Sequence, residues 1–166
     1  MVATVQIVEG NGATRANTQK DGSTLRFKNA DNATVDAVNP MVIPTAAQDW
    51  SYMKWTQLNV TVAPDTNLTN LKFYTDGTGW SAADAFVKGW AQAETTYATP
   101  SEPASSAEFS DDMFAYTSGA ALDLGTAAVT GTGLKGDHAV LALEVEAGAT
   151  QGTLTAETLT YSYDEM

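Results

Sequence analysis

Apolar and polar side chains alternate with a period of two along most of this chain, and the spacing that marks an amphipathic helix is almost nowhere found. The first alternating run, Ala3 to Val8, ends at Gly10-Asn11-Gly12, a strong turn signal. After a second turn at Asp21-Gly22, Thr24 to Lys28 places Leu25 and Phe27 on one face of a further strand. Asn39 to Pro44 contains two prolines, each without a donor for a sheet ladder, so an extended edge or connecting segment is expected there. The clearest strand runs from about Ser51 to Val62. Thr56, Leu58, Val60 and Val62 point one way and Trp55, Gln57, Asn59 and Thr61 the other, as in a half-buried antiparallel strand. Pro64-Asp65-Thr66-Asn67 has turn chemistry, and beyond it Leu71 and Phe73 alternate with Asn70, Lys72 and Tyr74. The two runs read as a hairpin.

Ala85 to Ala93 is ambiguous. Ala83, Val87 and Trp90 fall on one helical face, yet Gly89 and its β-favouring neighbours decide for a strand. Pro100 to Ser106 is a loop too short to join independent domains. A short element at Met113 to Tyr116 precedes a Gly/Thr/Ala-rich connection, Ser118 to Gly136, in which Ala127 to Thr130 adds a small strand. Ala139, Leu141, Leu143 and Val145 then alternate with Val140, Ala142, Glu144 and Glu146, and Thr153 to Tyr163 forms the last strand. About eight strands without βαβ units imply an all-β antiparallel sandwich, in jelly-roll form or, alternatively, as an immunoglobulin-like Greek key. Residues 1–166 read as one domain, with Met1 to Glu9 as an N-terminal arm free to add a strand to a neighbour.

Charge narrows the partners. Only 17% of residues are charged, and 20 acidic against 8 basic side chains give a net −12. Phosphate backbones and anionic membranes are repelled, so neither nucleic acid nor a membrane is an expected partner. With no cysteine, disulfides, thiolate chemistry and Cys-zinc sites are excluded. The N-terminus has no basic and apolar signal regions, and no run approaches a membrane span, so folding in a cytoplasm is expected.

Little in the chain points to catalysis. His138 is the only histidine, too few for a multi-histidine metal site, and it reads as a side chain beside a turn. No Gly-x-Ser-x-Gly elbow, phosphate-binding loop or dinucleotide fingerprint occurs. Asp49, Asp65, Asp76, Glu102, Asp111 and Asp112 lie in or near loops, but no pair stands out as a glycosidase dyad. Asp111-Asp112, the most suggestive place for Ca²⁺, lacks EF-hand spacing. A protein without enzymatic activity, cofactor or metal is therefore expected. The aromatic residues say more. Trp50, Tyr52 and Trp55 crowd into six positions, and Tyr74 and Trp80 flank the next loop. Such rings are core by default; where exposed, they anchor a protein interface or stack against sugars.

Asn39-Pro40, Ile43-Pro44, Trp50-Ser51-Tyr52-Met53-Lys54-Trp55 and Leu71-Lys72-Phe73-Tyr74-Thr75-Asp76-Gly77 together resemble the core pattern of small virion proteins of tailed bacteriophages. The ending Thr160-Tyr161-Ser162-Tyr163-Asp164-Glu165 is similar to how such proteins close. The resemblance covers about a quarter of the chain and is closest to head decoration, or cement, proteins. It implies a sandwich unit, often a homotrimer, made in the host cytoplasm and carried on the capsid exterior. There it clamps neighbouring major capsid proteins. It transfers no catalytic residue and assigns no contact residue. A carbohydrate-binding module and a virion fibre or adhesin component are the alternatives.

Overall fold

The alternating run that ends at Glu146 becomes the centre of the fold because both of its faces are buried. In the computed structural model, which describes residues 2–22, 24–80 and 85–166, this run is a 14-residue strand, β9 (Gly133–Glu146). Before it come β1 (Thr4–Asn11), β2 (Ala16–Gln19), β3 (Gln48–Trp50), β4 (Lys54–Val62), β5 (Leu68–Tyr74), β6 (Val87–Glu94), β7 (Asp111–Asp112) and β8 (Leu122–Asp123). β10 (Thr160–Glu165) follows it. A large antiparallel sheet has the order β2-β1-β4-β9-β6-β7, and β3 continues along β9 beyond the end of β4. A three-stranded antiparallel sheet, β10-β5-β8, packs against it. The architecture is an all-β, antiparallel, sandwich-like fold, as the alternation implies.

The inner core lies between the sheets. Leu58, Val60, Ala91, Ala139 and Leu141 of the large sheet meet Leu68, Leu71, Phe73 and Leu122 of the small one, with Met113 and Leu124 between. Gly89 makes room for this. A Cβ there would sit 2.3 Å from the Met113 sulfur, so only glycine lets the buried methionine lie against β6. Tyr161 also points inward, edge-on to Phe73, and its hydroxyl bonds to Thr56; burial pushes the phenol pKa upward. Opposite Gln57, β9 carries extra residues between Lys135 and Ala139. Gly136 adopts φ +68° within this bulge, and a Cβ would come 2.5 Å from the Leu124 carbonyl oxygen.

The outer face of the large sheet carries a second core. Val140 and Ala142 of β9 pack with Trp50, Met53, Trp55 and Phe109, and Trp90 and Tyr97 close the edge. The segment from Pro100 to Phe109 covers this face, with Pro100, Pro103 and Phe109 buried. β4 is therefore not half-buried as its alternation suggests. Trp55 and Gln57, on its supposedly polar side, are buried as well.

Five other sequence expectations are corrected. β4 and β5 do not form a hairpin: Pro64 to Asn67 carries the chain from one sheet to the other, and both edges of β4 are taken by β1 and β9. Loop-closure entropy grows slowly with loop length, so distant strands compete well with adjacent ones. Thr24 to Lys28 is not a strand, although Leu25 and Phe27 still pack on the inner core. Residues 4–9 are no free arm, because β1 pairs with β2 on one edge and β4 on the other. The final strand starts only at Thr160, and Val129 makes a single bridge to Leu68 in place of a strand. Ala83, weighed above for a helical face, lies outside the described residues.

His138 is likewise not a turn side chain but a buried member of β9, edge-on to Trp55 at 5.3 Å. Its Nδ1 donates to the Glu94 carbonyl at 2.8 Å, and its Nε2 has no partner among the described residues. Desolvation pushes the imidazole pKa below its usual value near 6.5, against a smaller opposing effect of the Glu94 carbonyl. On acidification the unfolded chain takes up this proton before the folded protein does. The stability conferred by neutral His138 is complete above that range and lost as pH falls through it toward the folded value. His138→Gln is expected to flatten this part of the profile. Urea unfolding between about pH 7.5 and 5.5 checks it, and identical slopes for both proteins would contradict it.

Candidate protein-binding surface

Residues 29–47 run between Lys28 and β3 without regular secondary structure. Pro40 and Pro44 remove two ladder donors, and Asn39 and Ala47 adopt φ of 53° and 59°, so no strand can pass through. A bond from the Asn29 N–H to the Asn39 carbonyl at 2.9 Å closes the loop at its base. Within it Asn32 accepts from Thr34 N–H at 3.1 Å and Asp36 from Val38 N–H at 2.9 Å, two side-chain turns that set its shape.

This ribbon presents apolar side chains to solvent. Val35, Val38 and Val42 are 50%, 60% and 57% exposed. From Val35 to Ala47 the only charged residue is Asp36. Lys28 holds it at 2.7 Å and, with the Val38 N–H, draws its carboxyl pKa below the usual range. On a chain of net charge −12, the ribbon is a locally neutral, apolar strip.

Buried lysines grip it from beneath. Glu9, fully buried on β1, takes Lys54 on one carboxylate oxygen at 2.9 Å and Lys20 on the other at 3.1 Å. Each ammonium group then reaches the ribbon's backbone: Lys54 bonds to the Asn32 carbonyl at 2.9 Å and Lys20 to the Ala33 carbonyl at 2.6 Å. Lys28, 1% exposed, donates to the Asn32 side chain at 3.1 Å and the Thr34 carbonyl at 3.3 Å. On the far side Asp31 accepts from Asn11 Nδ2 at 3.0 Å and Gly12 N–H at 2.8 Å. Charged groups removed from water are strongly destabilising unless paired and hydrogen-bonded. Here the pairing is spent on carbonyls that no sheet satisfies. The ribbon is thereby held in one conformation before any partner arrives, which lowers the ordering cost of binding.

The sequence-selected aromatic residues are not brought together on this surface. Trp50 is buried, stacked on Phe109 at 6.2 Å, and Trp55 is buried edge-on to Tyr97 at 5.4 Å. Both belong to the outer core, beyond the reach of a docking partner. Tyr52 is half-buried beside the ribbon's base, where its N–H donates to the Lys28 carbonyl at 3.1 Å. Trp80 packs edge-on against Phe114 at 5.0 Å and donates its indole N–H to the Thr155 carbonyl at 3.1 Å. Tyr74 lies on the small sheet, half-buried. Asp111 and Asp112 are occupied locally, accepting from the Asp112 and Phe114 N–H groups at 2.8 Å each. Among the described residues, no group of three or more His, Cys, Asp or Glu could hold a metal ion, and no helix is long and apolar enough to cross a membrane.

Sequence reasoning read Asn39 to Pro44 as an extended edge or connecting segment but did not identify it as an exposed apolar surface. The signal was there: two prolines spaced among valines, with one charge in thirteen residues. The lysines gave no such signal, since nothing local distinguishes Lys28 or Lys54 from a surface cation. Scans against protein-family models, curated proteins and solved structures found no match to this chain.

Proposed function

We propose that this chain is a head-decoration protein of a tailed bacteriophage, a structural, non-enzymatic unit that binds the outer capsid surface and cements neighbouring major capsid proteins. The observation that carries the reading is the ribbon: an exposed, neutral, apolar strip, preorganised by buried lysines, on an otherwise acidic body. Such a strip suits a protein surface. Apolar contact supplies cohesion, and the surrounding negative charge keeps nucleic acid away. The partner is suggested by the segments that resemble virion proteins, two of which, Asn39-Pro40 and Ile43-Pro44, lie in the ribbon itself. A homotrimer on the capsid exterior, made in the host cytoplasm, fits the many-copy symmetric contacts of a shell.

The test is co-sedimentation with shells assembled from the major capsid protein of the same virion. Stoichiometric association is expected, and Val38→Asp with Val42→Asp is expected to lower occupancy at least about tenfold, by placing charge in a desolvated contact. Both positions are exposed, so the folded state should be unaffected. Shells that bind none of the unaltered protein would end the proposal. Sedimentation equilibrium of the free protein tests the trimer.

A further inference from the structure

We propose that the outward face of the small sheet is a binding groove for a neutral oligosaccharide. The groove, of about 200 Å³, is lined by Asn70, Lys72, Tyr74, Ser162, Tyr163 and Asp164, with Ser118 at its rim. A bulge makes it. Two residues of β5, Asn70 and Leu71, stand opposite one of β10, Tyr163. Asn70 takes φ 52° at this step, and its side-chain amide donates to Asp164 at 2.5 Å. Bulges of this kind re-aim side chains and recur beside binding sites.

The lining chooses the ligand. Its volume falls below the range of roughly 300–1,000 Å³ that encloses a compact small molecule, which suits a chain lying across the sheet. Lys72 is balanced by Asp164 in the groove and by Asp123 directly across on β8, so an anion gains nothing here. Both edges of β5, the central strand under the groove, are occupied by β10 and β8, so an extended peptide cannot add a strand beside it. What remains is a set of mixed donors and acceptors (amide, ammonium, carboxylate and hydroxyl) beside the Tyr74 ring, since the Tyr163 ring packs on the inner core. Hydroxyls that both donate and accept, on a ring with apolar C–H faces, match that set. This groove is separate from the ribbon, and the inference does not rest on the phage reading.

An array of bacterial surface glycans, followed by NMR titration with chitotriose, cellotriose and maltotriose, tests it. Binding at millimolar concentration or tighter is expected, with shifts centred on Asn70, Tyr74 and Asp164. Tyr74→Ala and Asp164→Ala should each weaken it about tenfold or more. Ser118→Trp, made at an exposed position, should block the groove with the fold intact, and it decides the matter if either alanine variant fails to fold. No binding on the array together with no shifts for the three sugars would overturn the proposal. So would binding that survives Ser118→Trp.

Discussion

Glu9→Ala is expected to lower the folding free energy by about 3–5 kcal/mol, the cost of leaving buried charge without its partner. The carboxylate is fully buried and is the anion for both Lys20 and Lys54, so its removal strands two ammonium groups at once. The lysines in turn hold the Asn32 and Ala33 carbonyls, and the ribbon should loosen with them. Urea unfolding followed by tryptophan fluorescence measures the loss, and faster amide exchange across residues 29–47 reports the loosening. Buried pairs are weakly screened, so the loss should persist in roughly 0.5 M salt. A change within about 1 kcal/mol would mean that water reaches the cluster and that surface-pair energetics apply.

Trp55→Ala should be equally costly, about 3–5 kcal/mol, because a large buried ring would leave a cavity under the Pro100 to Phe109 cover. Tyr97 and His138 both contact the Trp55 ring and would lose their edge-on packing together. The indole N–H has no partner among the described residues, so Trp55→Phe forfeits no hydrogen bond and should cost clearly less than alanine. Binding to shells, measured per folded molecule at low temperature, should be unchanged in Trp55→Phe. Weak binding by a fully folded Trp55→Phe protein would instead place this ring in the interface.

The contrast between Trp55 and Val38 shows why the exposed apolar surface was hard to read from sequence. Type and crowding made the aromatic run Trp50 to Trp55 conspicuous, but exposure depends on what folds over a face. Here the cover is Pro100 to Phe109, about fifty residues away in the chain. Val38 and Val42 look like core residues by composition and are exposed because prolines keep their segment out of both sheets. Lys20, Lys28 and Lys54 resemble solvated cations, and only their convergence on Glu9 and on loop carbonyls makes them structural.

Alternation along β4, β5 and β9 specified strands by itself, because side chains on a pleated backbone must point alternately to opposite faces. The same local chemistry placed a turn at Pro64 to Asn67 and kept Asn39 to Pro44 out of a ladder, whereas Gly10 and Asn11, read as part of a turn, end β1 and the turn follows at residues 12–15. Which strands pair, which faces are covered twice and which apolar residues stay in water were decided only in three dimensions. Period two says that a strand has two sides; it carries no information about what lies against either of them.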